Sequence, residues 1–248
     1  MKPCTLIERT SRIPSKLSDT IEPMTDVHVL RVFTDSKGKF GDVATVVIDE
    51  GRKIPDSDRQ ALAGHLNAGE TAFVNDITNA KISIMHPQGE IDFAGVAAVG
   101  TAWLLAKLTR KPMSVMNGRG ENITVSQEGD LTWVRASLTT MPPWNHKQLK
   151  DAGAVEAIKL EETADIEHTM VWAWTDEKEG LIRARTFAAD WDIPEAQGNG
   201  SGSMNLAAML NRAIGITHGD GSVIFAKPAP DDCADIGGRV IEEPSIKA

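Results

Sequence analysis

Tyrosine is absent from this 248-residue chain, so no phenol is available to it as an acid, a base or a hydrogen-bond donor. Cysteine is nearly absent. Cys4 and Cys233 stand far apart in no metal-ligand spacing, and nothing suggests a disulfide between them. Long hydrophobic runs are missing too: the longest, Val96–Leu108, is too short to span a bilayer and is rich in Ala and Gly, so no membrane partner is expected. The first residues show no apolar core followed by a small-residue cleavage site, so no secretory signal is expected and a cytoplasmic location is the simplest reading. Positive charge is in deficit, with 26 Lys and Arg against 35 Asp and Glu and a net charge of −9. A nucleic-acid partner needs a basic face and is therefore not expected. An anionic substrate is still allowed, because helix ends and arginines can override the global field locally. No phosphate loop, dinucleotide fingerprint, metal cluster or serine-nucleophile elbow is found, so neither cofactor nor metal is expected.

The hydrophobic content of 41% and charged content of 25% are those of an ordinary globular protein, and the length suits one large domain or two modest ones. Residues 1–25 are polar, carry Pro3, Pro14 and Pro23, and read as an N-terminal extension outside the core. From Val27 a β-branched run to Phe33 predicts a strand, followed by a turn at Asp35–Gly38 and a second strand at Ala44–Ile48. Apolar positions at helical spacing after Asp56 predict a short helix over Asp56–Leu66. Strands follow at 71–74 and 82–85, with a turn and short strand at 89–93. Val96–Leu108 is apolar almost all round, and a helix without a polar face must be buried on every side. Strands recur at Ile123–Ser126 and Leu131–Ser137 before Pro142-Pro143 breaks the pattern, which puts a first half at 26–140 and a second at 141–248.

The second half repeats the plan. A short helix is predicted over Gln148–Ile158, strands over His168–Trp174 and Gly180–Phe187, and an apolar helix over Met204–Ile214 behind the glycine-rich 198–203 turn. Strands at 222–227 and 236–241 close the chain. Strands that must enclose an apolar helix suggest a rolled sheet. The expectation is an α+β fold of two pseudo-symmetric halves, a tandem duplication rather than a doubly wound parallel sheet. Both apolar helices start after small residues, and a helix N-terminus offers free N–H groups and about half a positive charge. Gly95, Gly200 and Ser201 then mark two ends able to hold a carboxylate across one cleft.

At this point four blocks resemble one family. Asn67-Ala68-Gly69-Glu70-Thr71-Ala72-Phe73-Val74 is similar to the "N-x-S-E-T-x-F-V" segment of the PhzF-like isomerases of phenazine biosynthesis. Glu90-Ile91-Asp92-Phe93-Ala94-Gly95 with Gly100-Thr101-Ala102 resembles that family's "E-x-x-F-A-G-H-x-x-x-G-T-A" block. Arg185-Thr186-Phe187 through Glu195 and Gly200-Ser201 resembles "R-x-F … E-D-P-A-T-G-S-A", and Lys227-Pro228 with Ile236–Val240 resembles the C-terminal strands. The resemblance runs from about Val27 to Glu242 and implies a diaminopimelate-epimerase-like fold with a rolled sheet around a central apolar helix in each half. It implies a cofactor-independent isomerase, dimeric and acting on a small unsaturated or cyclic carboxylic acid in secondary metabolism such as antibiotic biosynthesis. It also assigns the acid/base role to Glu70. Such work needs a carboxyl pKa raised toward neutrality. Without a close charged partner, burial beside Phe73 and Phe93 is the expected cause.

The departures are specific. Val96 stands where the family has a histidine, Ala196 where it has an aspartate, and Gln197-Gly198-Asn199 replaces "P-A-T". Asp92 and Asn199 are the remaining polar candidates for substrate contact, with Gly95, Val96, Gly200 and Ser201 at the helix ends. Neither cysteine falls at a helix end, which excludes a two-cysteine racemase. An epimerase or dehydratase of the same fold, and a catalytically silent small-acid binding protein, are the alternatives.

Overall fold

Two helices with no polar face set the architectural problem, and sheet solves it twice. The computed structural model describes residues 26–247 except 67, 68, 87, 121, 164 and 192. The N-terminal extension, with Cys4, lies outside the described residues. The chain opens with β1 (Asp26–Thr34) and β2 (Asp42–Ile48), then α1 (Asp56–Leu66), β3 (Thr71–Asp76), β4 (Lys81–His86) and β5 (Gly89–Ile91). The long helix α2 (Gly95–Thr109) follows, then β6 (Val115–Asn117), β7 (Asn122–Glu128) and β8 (Leu131–Ser137). Next come β9 (Asn145–Gln148), α3 (Ala152–Glu156), β10 (Thr169–Asp176), β11 (Leu181–Ala188) and β12 (Ile193–Ala196). The chain ends with α4 (Gly200–Leu210), β13 (Ile214–His218), β14 (Ser222–Ala229) and the long β15 (Cys233–Lys247).

Pairing order closes the first sheet on itself. Strands β1-β2-β3-β4-β6-β7-β8-β15 are neighbours in that order, and β15 pairs back onto β1 from Asp26↔Lys247 to Thr34↔Arg239. The ring encloses α2, whose Ala97, Ala98, Val99, Ala102, Leu104 and Leu105 are wholly buried. Burying each leucine is worth about 2 kcal/mol against leaving it exposed. Small residues let the helix sit close: a Cβ on Gly100 would come within 3.1 Å of Val32 and 3.2 Å of Leu30. Strand β15 also pairs with β14, and the sheet continues β14-β13-β11-β10-β9. α4 lies against β14 and β15, with Met204, Leu206 and Ala207 buried. A rolled sheet on one apolar helix in each half is therefore what the structure contains.

Three elements differ from expectation. The segment 148–158 is not one helix: Asn145–Gln148 pairs in parallel with β10, and the helix starts only after Asp151, whose side chain accepts the Ala154 N–H at 2.7 Å. The second apolar helix begins at Gly200, because Asn199 caps it, and stops at Leu210, where Asn211 turns left-handed at φ 48°. That stop releases Ile214–His218 to pair with β14, a strand hidden in the sequence by the apolar run before it.

Candidate functional site

The two helix N-termini meet. A Cβ on Gly95 would lie 3.4 Å from Gly200 Cα, one on Gly200 would lie 3.4 Å from Gly95 Cα, and Ile236 packs behind both. Glycine at each position is what allows this approach. Two positive helix ends facing each other are mutually unfavourable, and an anion between them would relieve that. The ends are unequal. Helix α2 is preceded by Ala94, which gives it no side-chain cap. In α4 the Asn199 Oδ1 accepts the Gly202 N–H at 2.8 Å and the Ser203 hydroxyl donates to the Asn199 carbonyl at 2.6 Å. The Asn199 amide points to Thr186 Oγ1 at 3.4 Å, so the polar atoms of this buried residue are engaged within the protein. Trp144 Nε1–H donates to Ser201 Oγ at 2.8 Å and fixes that hydroxyl at the α4 end. Trp191 stacks on His168 at 4.4 Å and meets Trp144 edge-on at 4.9 Å, forming an aromatic wall beside it.

Glu70 immediately precedes β3, after Gly69 turns the chain at φ 75°. Strand β3 runs parallel to β2 with Thr71 opposite Thr45, and their hydroxyls hydrogen-bond at 2.7 Å. No described residue hydrogen-bonds to the half-buried Glu70 carboxylate. Burial, and then the negative charge of Asp42, pushes its pKa up to about 7. Burial, the expected cause, is the larger effect, but it is not supplied by the two rings named for it and a charged neighbour adds to it. Phe73 packs with Val27, Val47, Ala63 and Met85 under the Arg59 guanidinium, and Phe93 packs on the main core. The charged partner is Asp42, which sequence reasoning missed.

Asp42 opens β2 after two left-handed residues, Phe40 at φ 62° and Gly41 at φ 86°. Only glycine fits at 41, since a Cβ there would stand 2.4 Å from the Val32 carbonyl oxygen. The Gly41 N–H donates to Ser222 Oγ at 3.0 Å, tying the turn to β14. Asp42 Oδ2 is buried with no hydrogen-bond partner among the described residues, and it would lie 2.4 Å from a Cβ on Gly198. Burial raises the Asp42 pKa to about 6 against the opposing pull of Arg31. The Asp42 charge acts on Glu70, and Asp42 itself rests against Gly198, two residues before the Gly200 end of α4. The only sequence signal for Asp42 was an acid at a strand entry; its alignment beside Glu70 is a parallel pairing that no local pattern shows.

Other candidates lie differently. Asp92 is exposed and faces Arg119 at 3.7 Å, its contacts being with the 119–120 turn. Val96 packs against the core, and Ala196 pairs with Thr186 in the sheet. Arg185 and Glu195, from the third block, bind each other through two bonds at 2.7 and 2.8 Å. They line an open polar hollow of about 450 Å³ with Arg183, which pairs with Glu156. Among the described residues no cluster of three or more His, Cys, Asp or Glu is placed to hold a metal. No helix of the described residues is long and apolar enough to cross a membrane.

A closed sheet around one apolar helix, a second sheet over another and helix ends that meet between them define a protein of the diaminopimelate-epimerase-like class. The family model for phenazine biosynthesis-like protein (PhzC-PhzF) matches residues 30–175, and the chain belongs to that family. Its fold is similar to the PhzF-family phenazine biosynthesis protein of Enterococcus faecalis, with 17% identity, TM-score 0.75, and 91% of this chain and 99% of that one covered. The PhzF-family protein of Bacillus anthracis gives 15% identity and TM-score 0.72 over 91% and 99% of the two chains. A hydroxyproline epimerase from Agrobacterium vitis with bound trans-4-hydroxy-L-proline shares the fold at 12% identity and TM-score 0.56, with 91% of each chain covered.

Proposed function

We propose that this protein is an isomerase that moves a proton on a small unsaturated or cyclic carboxylic acid, with Glu70 as the acid/base. The observation that supports the reading is a Glu70 carboxyl whose pKa burial and the Asp42 charge push up to about 7, in a fold where two helix N-termini meet. The acid's carboxylate sits at the junction, where the uncapped α2 end supplies N–H donors and the Ser201 hydroxyl is already oriented by Trp144. Glu70 takes a proton from the carbon activated by that carboxylate or by a conjugated double bond. It returns the proton elsewhere on the same ligand. A carboxyl with a pKa near the working pH is well matched to both directions of transfer. The step needs no redox partner and no cofactor. Membership of a phenazine biosynthesis-like family supports a place in secondary metabolism, and the same reading makes the protein a cytoplasmic homodimer.

The test is incubation in D₂O with a panel of acids: cyclohex-1-ene-1-carboxylate, cyclohexadiene carboxylates, L-proline and the trans-4-hydroxy-L-proline bound by the Agrobacterium vitis epimerase. Mass spectrometry should find deuterium in at least one acid with the native protein, and at least about a hundredfold less with Glu70→Gln. Undiminished exchange in that variant would sink the role of Glu70.

A further inference from the structure

A second carboxylate, whose charge acts on Glu70, is left unused by a one-group shuttle. Asp42 and Glu70 stand at the N-terminal ends of parallel neighbouring strands, β2 and β3. Asp42 Oδ2 is buried and bonded to no described residue. It rests against Gly198, two residues before α4, where any side chain would displace it. The cation acting on this carboxylate is Arg31, and its guanidinium is turned to Glu243 at 2.5 Å and to the Gly41 carbonyl at 3.5 Å. Among the described residues Asp42 has no salt-bridge partner. Burying an ionised carboxylate without a donor is costly, so such a group holds a proton more tightly or is kept for a ligand. The two helper positions that resemble polar residues in the family are Val96 and Ala196, which cannot carry a proton.

We propose that Asp42 and Glu70 form a two-carboxylate acid/base pair in the cleft, so that one receives the substrate proton while the other delivers a proton to a second position. This deepens the isomerase reading and rests on it. The ionised member takes hydrogen from a C–H bond, and the electron pair of that bond becomes the new C=C of an enolate or dienolate. The protonated member gives its hydrogen to the distal carbon of that system. The pair holds one proton before and after, with its location exchanged, and nothing is oxidised or reduced. Like charges in one buried site do not both ionise freely, so such a pair carries one proton between its two titration steps. The groups facing the pair are Arg31 from β1, which favours ionisation of Asp42, and the two carboxylates themselves.

The experiment is a carboxyl ¹³C NMR titration between pH 4 and 9 of the native protein, Asp42→Asn and Glu70→Gln, with labelled Asp and Glu. Coupling predicts that Asp42→Asn lowers the Glu70 midpoint by about one pH unit, while Glu70→Gln leaves Asp42 titrating in a single step. The variants are close in shape to the native side chains, and Gly198→Ala, which displaces the Asp42 carboxylate without changing charge, should also move the Glu70 midpoint. A raised Glu70 midpoint that none of these changes shifts overturns the pair and leaves Glu70 acting alone. A Glu70 midpoint in the ordinary carboxylate range of the native protein overturns the isomerase reading and the pair together.

Discussion

Replacing Glu70 by glutamine keeps the shape of the side chain and removes its ionisation, so its effect on stability should depend on pH. In the folded protein the Glu70 pKa stands at about 7 against an ordinary value of 4.5. A carboxyl whose folded pKa is raised adds stability that is fully present below the unfolded pKa and lost as pH rises through the folded one. The window is therefore pH 4.5 to 7. At about 1.4 kcal/mol per unit, the ionisation penalty reaches a ceiling of about 3 kcal/mol by pH 8, and it is about 1 kcal/mol at pH 5. Glu70→Gln escapes that penalty. Urea denaturation of both proteins across pH 5 to 8.5 should show the variant gaining about 2 kcal/mol on the native protein as pH rises. A difference that stays flat across this range, or that falls, would refute the argument that burial and Asp42 hold Glu70 near neutrality.

Arg59 is wholly buried and ion-paired to buried Asp49, while also donating to Asn75 and to the Ile54 carbonyl; Arg59→Ala should therefore cost about 3–5 kcal/mol in chemical denaturation by stranding Asp49. His218 is wholly buried, its ring nitrogens bond to no described residue, and burial with the Arg183 charge lowers its pKa to about 3. The folded protein resists protonating it, so between pH 6.5 and about 3 stability should fall by about 1.4 kcal/mol per unit, and His218→Leu should flatten that acid limb in the same assay. Trp144→Phe removes the 2.8 Å bond to Ser201 but keeps a ring, so binding of a panel acid should weaken about fivefold by calorimetry with little change in thermal midpoint.

What the sequence disclosed follows from what it encodes locally. The all-apolar faces of α2 and α4 forced burial, and because the segments flanking them read as strands, the cover had to be sheet. Gly95 and Gly200 were visible as small residues at helix starts, but their close approach, which leaves little room for a side chain on either, is a product of the tertiary fold. Glu70 was found through its block, whereas its charged neighbour was not. Asp42 lies 28 positions away and joins Glu70 only because β2 and β3 pair in parallel at Thr45 and Thr71. Asn199 carries a role the local pattern did not disclose: its side-chain carbonyl caps α4. The closing of β15 onto β1 was equally hidden, since Asp26 and Lys247 are joined by tertiary pairing alone.

The pH profile of deuterium incorporation into an exchanging panel acid tests the central claim most directly. With Glu70 as the acid/base, the exchange rate should change with an inflection near pH 7 in the native protein and be lost in Glu70→Gln. An inflection in the ordinary carboxylate range near 4.5, or a profile unchanged by Glu70→Gln, would contradict it.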